Sequence, residues 1–184
     1  VVSLSMDELQ QSIIDQLNTL QGIARRLRSK ITHVKPHGAL YHSCNEDGEI
    51  ARAVARAVLA VDANLVLVGQ AGFRCLDVYR QVGLRVASEA FADRRYEANG
   101  RLRSRSLPGA LLDSPEDASS QAVEIAVRKQ VITTPGARLT VEADTVCIHS
   151  DTRGAANIAS AVRNRLLRSG VSVRGLQSRL GRIY

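Results

Sequence analysis

Four short apolar runs, each followed by a stretch long enough for a helix or an ordered loop, restrict this chain to an α/β architecture. They are Ile31-Thr32-His33-Val34, Leu65-Val66-Leu67-Val68, Leu84-Arg85-Val86-Ala87 and Thr145-Val146-Cys147-Ile148. The second run does not alternate with polar residues, which suits a parallel strand covered on both faces. Alternating strands and helices imply a parallel sheet or a β/α barrel.

The segments between these runs read as helices. Ser5-Met6-Asp7-Glu8 has the form of a capping box, and Leu9, Ile13, Leu17, Leu20, Ala24 and Leu27 recur at helical spacing, predicting a helix over residues 6–28. Further helices are expected over residues 47–60, 72–82, 114–128, where Ser114 caps and Pro115 takes the first position, and 152–168. Residues 131–133 and 138–141 flank Thr134-Pro135-Gly136-Ala137 as a hairpin, and residues 171–173 read as a last short strand. Residues 89–112 break the rhythm as a long polar loop in which Asn99-Gly100 closes a small hairpin between Tyr96 and Leu102. Long loops of this kind inside a compact domain are usually functional. The organisation expected is one domain over residues 1–176 with a tail over residues 177–184. About five main strands are fewer than a closed barrel needs.

The apolar runs end in reactive side chains. The first is followed by Lys35, Pro36, His37 and Gly38. Pro36 removes a backbone donor and stops the strand, and Gly38 permits a turn. The second ends in Gly69-Gln70. The third ends in Glu89 and leads to Asp93 and Arg94, and the fourth ends in His149-Ser150-Asp151. Parallel β/α folds gather their strand ends on one face, so these groups are expected in one cleft suited to proton transfer and to an anionic substrate. Some have plainer roles open to them. His33 is expected as a packed core residue, Glu89 suits an arginine partner, and Asp151 suits the cap of the helix starting at Thr152. His149 and Asp151 are two ligands at most, too few for a metal site.

Composition narrows the class further. The 184 residues are 45% hydrophobic but only 3% aromatic, with no Trp, so Ala, Val, Leu and Ile must build the core. The net charge of +7 comes mainly from arginines scattered over helix faces, with few aromatics beside them to stack bases, so no nucleic-acid partner is expected. No apolar run reaches the length of a membrane span and no signal-peptide pattern opens the sequence. Cys44, Cys75 and Cys147 match no zinc spacing; Cys147 is expected as a small buried residue, and a reducing cytoplasm is the expected location. There is no P-loop sequence for ATP.

Three segments carry a resemblance. VKPHGALY, EAFADRRY with the following NGRLRSRSLPGA, and ADTVCIHSD resemble, in order and spacing, the signature segments of the LamB/YcsF family, also called the family of the 5-oxoprolinase A subunit. The likeness runs from Leu4 to Leu176. It implies an irregular β/α barrel, TIM-like and related to polysaccharide deacetylase barrels. It also implies a part in the ATP-dependent opening of 5-oxo-L-proline (pyroglutamate) to L-glutamate, with partner subunits B and C and with ATP used by the complex. The positions carried over are Lys35, His37, Asp93, His149 and Asp151 for catalysis, and Gly38, Arg94 and Tyr41 for substrate binding. Under this reading Asp93 or Asp151 serves as base, His37 or His149 as proton shuttle, and Lys35 with Arg94 as anion clamp. The alternatives are a metal-dependent deacetylase-like hydrolase and a non-catalytic interaction subunit.

The sequence departs from the family pattern in three places. Ser150 stands where the family has Gly, and His42 where it has Asn. A further N-terminal segment with Asp- and His-bearing motifs is missing. The expected barrel is therefore incomplete at its N-terminus, with open strand edges that favour a homo-oligomer.

Overall fold

A computed structural model describes residues 4–134 and 136–176. The chain divides after Ser88 into two compact units.

The first unit opens with helix α1 (Met6–Arg26). Its capping box is complete: the Glu8 amide donates to Ser5 Oγ at 3.3 Å, and the Ser5 amide donates to Glu8 Oε2 at 2.8 Å. Strand β1 (His33–Val34) pairs in parallel with β2 (Val66–Gln70), His33 opposite Val66 and Val34 opposite Leu67, and β3 (Arg85–Phe91) follows β2 in the sheet order. Helices α2 (Ala39–Glu46), α3 (Gly48–Val61) and α4 (Cys75–Val82) complete the unit. Helix α3 packs against α1, α2 and α4, and its alanines (Ala51, Ala53, Ala55 and Ala57 all buried) let those helices approach closely. Val54, Val58, Leu65, Leu67, Leu76 and Tyr79 fill the core. Strand β2 is buried along its whole length, as its unbroken apolar run requires.

At Gly69 strand β2 lies tight against side chains of helix α4. A Cβ there would stand 3.0 Å from Leu76 Cδ2 and 3.1 Å from both Cys75 Sγ and Tyr79 Cε2. Gly69→Ala is expected to destabilise the protein by about 1–3 kcal/mol through overpacking, read as a fall in the urea midpoint at constant slope.

In the second unit, the far half of β3 pairs in parallel with β7 (Thr145–Cys147), Glu89 opposite Thr145 and Phe91 opposite Cys147. Strand β4 (Tyr96–Glu97) runs parallel to β5 (Gln130–Thr134), which forms the expected antiparallel pair with β6 (Arg138–Thr140). Helix α5 (Pro115–Val123) begins as its cap demands, with Ser114 Oγ accepting from the Asp117 amide at 3.2 Å. It continues as a π-helical turn over Glu124–Arg128 and stops at Lys129, which takes a left-handed φ of 56°. Helix α6 (Ala155–Arg168) packs on α5 around Ala118, Ala122, Ile158, Val162 and Leu166.

Several expectations are corrected. Residues 39–46 form a helix with no side-chain cap at its start, hidden from sequence because Gly38 replaces the usual capping residue. The third strand runs on to Phe91, so Glu89 lies buried inside it rather than at its end. The third and last helices start later than expected, at Cys75 and Ala155. Residues 171–173 are not a strand; Ser172 and Val173 are exposed and no sheet partner runs beside them among the described residues. The apolar stripe of α1 is buried at Ile13 and Leu17, packs against the core at Leu9 and is half-buried at Ala24, while Leu20 and Leu27 are exposed rather than packed. His33 is exposed rather than packed, its Nδ1 at 2.8 Å from Thr32 Oγ1, since a two-residue strand buries little of either face. Cys147 is only half-buried. The tail over residues 177–184 lies outside the described residues.

Candidate active site

The second unit places a buried carboxylate against a histidine at neighbouring strand ends. Phe91, the last residue of β3, lies opposite Cys147, the last of β7, so Asp93 and His149 each sit two residues beyond a paired position. Asp93 has no exposed surface. Its Oδ2 accepts from the His149 amide at 2.7 Å and from Thr152 Oγ1 at 3.2 Å, and His149 Nδ1 lies 3.1 Å from each carboxylate oxygen. Burial alone would push the Asp93 carboxyl up. The hydrogen bonds from the His149 ring and amide and from Thr152, with the charge interaction with His149, outweigh it and hold the group below the usual carboxylate range.

An ionised carboxylate only accepts, so the hydrogen of a neutral imidazole sits on Nδ1 and the lone pair on Nε2. The ring is also fixed from one side, stacked on Phe91 at a centroid distance of 5.5 Å and an interplanar angle of 13°. His149 keeps 20% of its side chain exposed. The result is an oriented imidazole whose Nε2 lone pair is not engaged by Asp93, the form that can take a proton from water.

The residues flanking Asp93 are held from α5. Gln121 Nε2 donates to the carbonyls of Phe91 at 2.8 Å, Ala92 at 3.2 Å and Arg94 at 2.8 Å, and Tyr96 Oη accepts from the Phe91 amide at 2.8 Å. The loop of residues 93–112 is ordered by bridges and side-chain bonds of its own. Arg94 pairs with Leu111 and Tyr96 with Leu102 as antiparallel bridges, the latter as the Asn99-Gly100 turn requires. Arg103 donates to the Pro108 carbonyl at 3.0 Å and forms an ion pair with Glu97 at 2.8 Å.

Arg94 is 4% exposed; its Nη2 donates to the Arg103 carbonyl at 2.6 Å, while its Nε is buried with no hydrogen-bond partner among the described residues. Burial, and then the nearby charge of Arg105, lower its affinity for a proton. Asp151 does not cap α6, whose first turn follows Gly154. Its carboxylate faces outward and pairs with Arg105 at 2.6 Å, which lowers the Asp151 carboxyl and raises the Arg105 guanidinium.

The first unit holds Lys35, His37, Gly38 and Tyr41. Gly38 adopts φ 61° and ψ −135°, a conformation that glycine alone takes without strain, and this turn swings the chain from β1 into α2. Tyr41 is buried, with the Lys35 ammonium 5.5 Å from its ring centroid in a cation–π contact. His37 is exposed. Below them Asn45 joins Gln70 Oε1 at 2.9 Å to Cys75 Sγ at 3.1 Å. Burial first, and then the neighbouring Cys44, push the Cys75 thiol up to about 11, so it stays a thiol.

Within the second unit the structure therefore brings together Asp93, His149 and, through Arg105 and Thr152, the neighbouring Asp151 and Arg94. Phe91, Gln121, Thr152 and Arg105 join the site beyond the residues expected from the sequence. Arg105 lies in a segment marked by its motif. Gln121 gives no sequence signal, since a glutamine on a helix reads as a solvated face. Among the described residues no three His, Cys, Asp or Glu side chains gather in a metal-holding group. A groove of about 650 Å³ lined in part by Ile125, Val146, Ile148, Val162 and Leu166 includes none of these polar groups.

Comparison with known proteins identifies the family and the fold. A model of the LamB/YcsF family matches residues 1–181. A protein of Tolumonas auensis, named as the A subunit of 5-oxoprolinase, is 42% identical over 175 residues, covering 95% of this chain and 70% of the relative. One of the same name from Chloroflexus aggregans is 44% identical over 174 residues, covering 95% and 69%. The crystal structure of a lactam utilization protein from Thermus thermophilus matches with a TM-score of 0.88 at 39% identity, covering 94% of this chain and 69% of that one. The likeness shows the α/β, TIM-like fold class read from the sequence.

Proposed function

The chain belongs to the LamB/YcsF family, and from that premise we propose that it works as a subunit of an ATP-dependent 5-oxoprolinase. In this reading it hydrolyses the cyclic amide of 5-oxo-L-proline to L-glutamate together with partner subunits B and C. The observation that carries the reading is the Asp93–His149 pair, a buried carboxylate on Nδ1 of an imidazole that keeps part of its side chain exposed. Opening a lactam by water needs a base for the water and a donor for the leaving ring nitrogen, and one imidazole serves both in turn. His149 Nε2 removes the water proton as the oxygen attacks the lactam carbonyl. The imidazolium then returns the proton to the ring nitrogen as the carbon–nitrogen bond breaks. Asp93 holds the tautomer and stabilises the imidazolium without itself taking the proton. The relatives' shared name supports the substrate assignment.

Lys35, His37, Gly38 and Tyr41 are assigned to the same reaction on the strength of the family resemblance. The sequence contains no P-loop, so the phosphate chemistry of ATP is assigned to the partner subunits.

The test is glutamate release from 5-oxoproline by the protein assembled with subunits B and C, with and without ATP, and with and without a chelator that spares the magnesium–ATP complex. ATP-dependent release that survives chelation is expected. No release under any condition would overturn the reading, and release abolished by chelation would replace it with a metal-dependent hydrolase. Among the described residues no helix is long and apolar enough to cross a membrane.

A further inference from the structure

We propose that Arg105 recognises the carboxylate of the lactam substrate, and that Asp151 occupies Arg105 as a stand-in for that carboxylate until substrate arrives. The inference rests on the 5-oxoprolinase reading and names the group that would make the site selective for an acidic lactam.

Four observations carry it. The contact has the right form: Arg105 Nη1 lies 2.6 Å from Asp151 Oδ2 and Nη2 lies 3.4 Å from Oδ1, so one edge of the guanidinium faces both oxygens of one carboxylate. A guanidinium edge is the side chain best shaped for such a two-oxygen anion. The contact is also exchangeable. Both partners are exposed, 44% for the Arg105 side chain and 63% for that of Asp151, and an exposed ion pair contributes little that a competing carboxylate could not replace.

Position supplies the third observation. Asp151 is two residues from His149 and next to Thr152, whose hydroxyl is bonded to Asp93. Arg105 is therefore tethered beside the basic imidazole. In 5-oxoproline the carboxylate sits on the carbon bonded to the ring nitrogen, close to the bond that breaks, so its receptor must stand near the base. The fourth is that the neighbouring arginine is far less accessible: Arg94 is almost sealed from solvent and its Nη2 is taken up by the Arg103 carbonyl. The loop presenting Arg105 is braced on both sides. Arg103 grips Glu97 and the Pro108 carbonyl, and Ser104 and Ser106 share a hydrogen bond at 2.8 Å. Arg105 thus has a firm backbone and an exposed, charged head.

The experiment compares two ligands by calorimetric titration of the whole protein: 5-oxoproline and 2-pyrrolidinone, the same lactam ring without the carboxylate. In R105Q the Kd for 5-oxoproline is expected to rise about 10–100-fold, the range for losing a charge-assisted bidentate contact, with pyrrolidinone binding unchanged. R105K, which keeps the charge but not the fork, should fall between the two. D151N, which removes the competitor, should bind 5-oxoproline as tightly as the parent or several-fold more tightly.

If R105Q weakens both ligands equally, Arg105 is only structural and the inference fails. It fails also if D151N loses as much affinity as R105Q, or if R105Q binds 5-oxoproline like the parent; in that last case the 5-oxoprolinase reading stands. If the parent neither binds 5-oxoproline nor turns it over with its partner subunits, the functional reading fails and this inference falls with it.

Discussion

Asp93→Asn should lower the turnover of 5-oxoproline by about 10³–10⁴-fold with little change in KM, the scale on which a reversed histidine tautomer acts elsewhere. The size follows from the hydrogen bonds around the carboxylate. Oδ2 accepts from the His149 amide and from Thr152, both of which are donors, so the one oxygen of an asparagine must stay there. Its amide NH₂ is then left facing His149 Nδ1. A donor facing Nδ1 requires Nδ1 to accept, which moves the ring proton to Nε2 and removes the lone pair needed by the water. Raising the pH does not recover it, because the neutral ring is held in the wrong form.

The same substitution has a second signature. The folded protein holds the Asp93 carboxyl below its ordinary range. Its contribution to stability is therefore fully present above the ordinary carboxylate pKa of about 3.9 and is lost as pH falls through the lowered folded value. Asn does not titrate, so D93N should be less stable than the parent at neutral pH and should lose less on acidification. The measurements are steady-state glutamate release with the partner subunits and ATP, and urea midpoints between pH 7 and pH 3. Activity within a few-fold of the parent would remove the dyad from the mechanism.

How much of this was legible beforehand depends on the range of the forces involved. Local signals read well. The Ser5 and Ser114 caps and the Asn99-Gly100 turn are set by residues within a few positions of one another, and each forms as the sequence implied. The parallel strands were legible because burial on both faces leaves an unbroken apolar run, as in β2. The short helix after Gly38 was not, because a backbone turn with no side-chain cap leaves no residue signature. At the site, Asp93 and His149 announced themselves as polar groups just past apolar runs. What they do to each other was not legible, since it depends on the register of β3 against β7 across more than fifty positions of chain. The proposed division of labour, His149 as base and Asp93 as its holder, comes from that register. So does the different fate of the two adjacent residues Asp93 and Arg94, one turned onto the histidine and the other onto a loop carbonyl.

Gln121→Leu should be the most damaging substitution of a residue outside the reacting groups. Leucine nearly matches glutamine in volume, so the change removes hydrogen bonds without opening a large cavity. Gln121 is 7% exposed, and its Nε2 is the donor for three carbonyls, those of Phe91, Ala92 and Arg94. A buried acceptor deprived of its donor costs roughly 1–3 kcal/mol, and three acceptors served by one nitrogen do not add fully. A loss of about 2–4 kcal/mol is expected, which for a chain of this size lowers Tm by on the order of 10 °C. Activity should fall as well, because the three carbonyls bracket Asp93 and set where its carboxylate points.

A companion substitution separates lost hydrogen bonding from poor packing. In Gln121→Glu the new side chain faces carbonyls and can be tolerated only when protonated. Its folded pKa is raised above the ordinary value of about 4.3, so its share of stability is present below that pH and declines as pH rises toward the folded value. Q121E should therefore lose stability relative to the parent between pH 5 and pH 8, while the deficit of Q121L stays constant over the same range. Thermal melts of both variants at the two pH values make the comparison. A Q121L midpoint within about 2 °C of the parent, or a Q121E deficit that does not grow with pH, would mean that α5 does not hold the Asp93 segment through this amide, and that the dyad is positioned by the β3–β7 register alone.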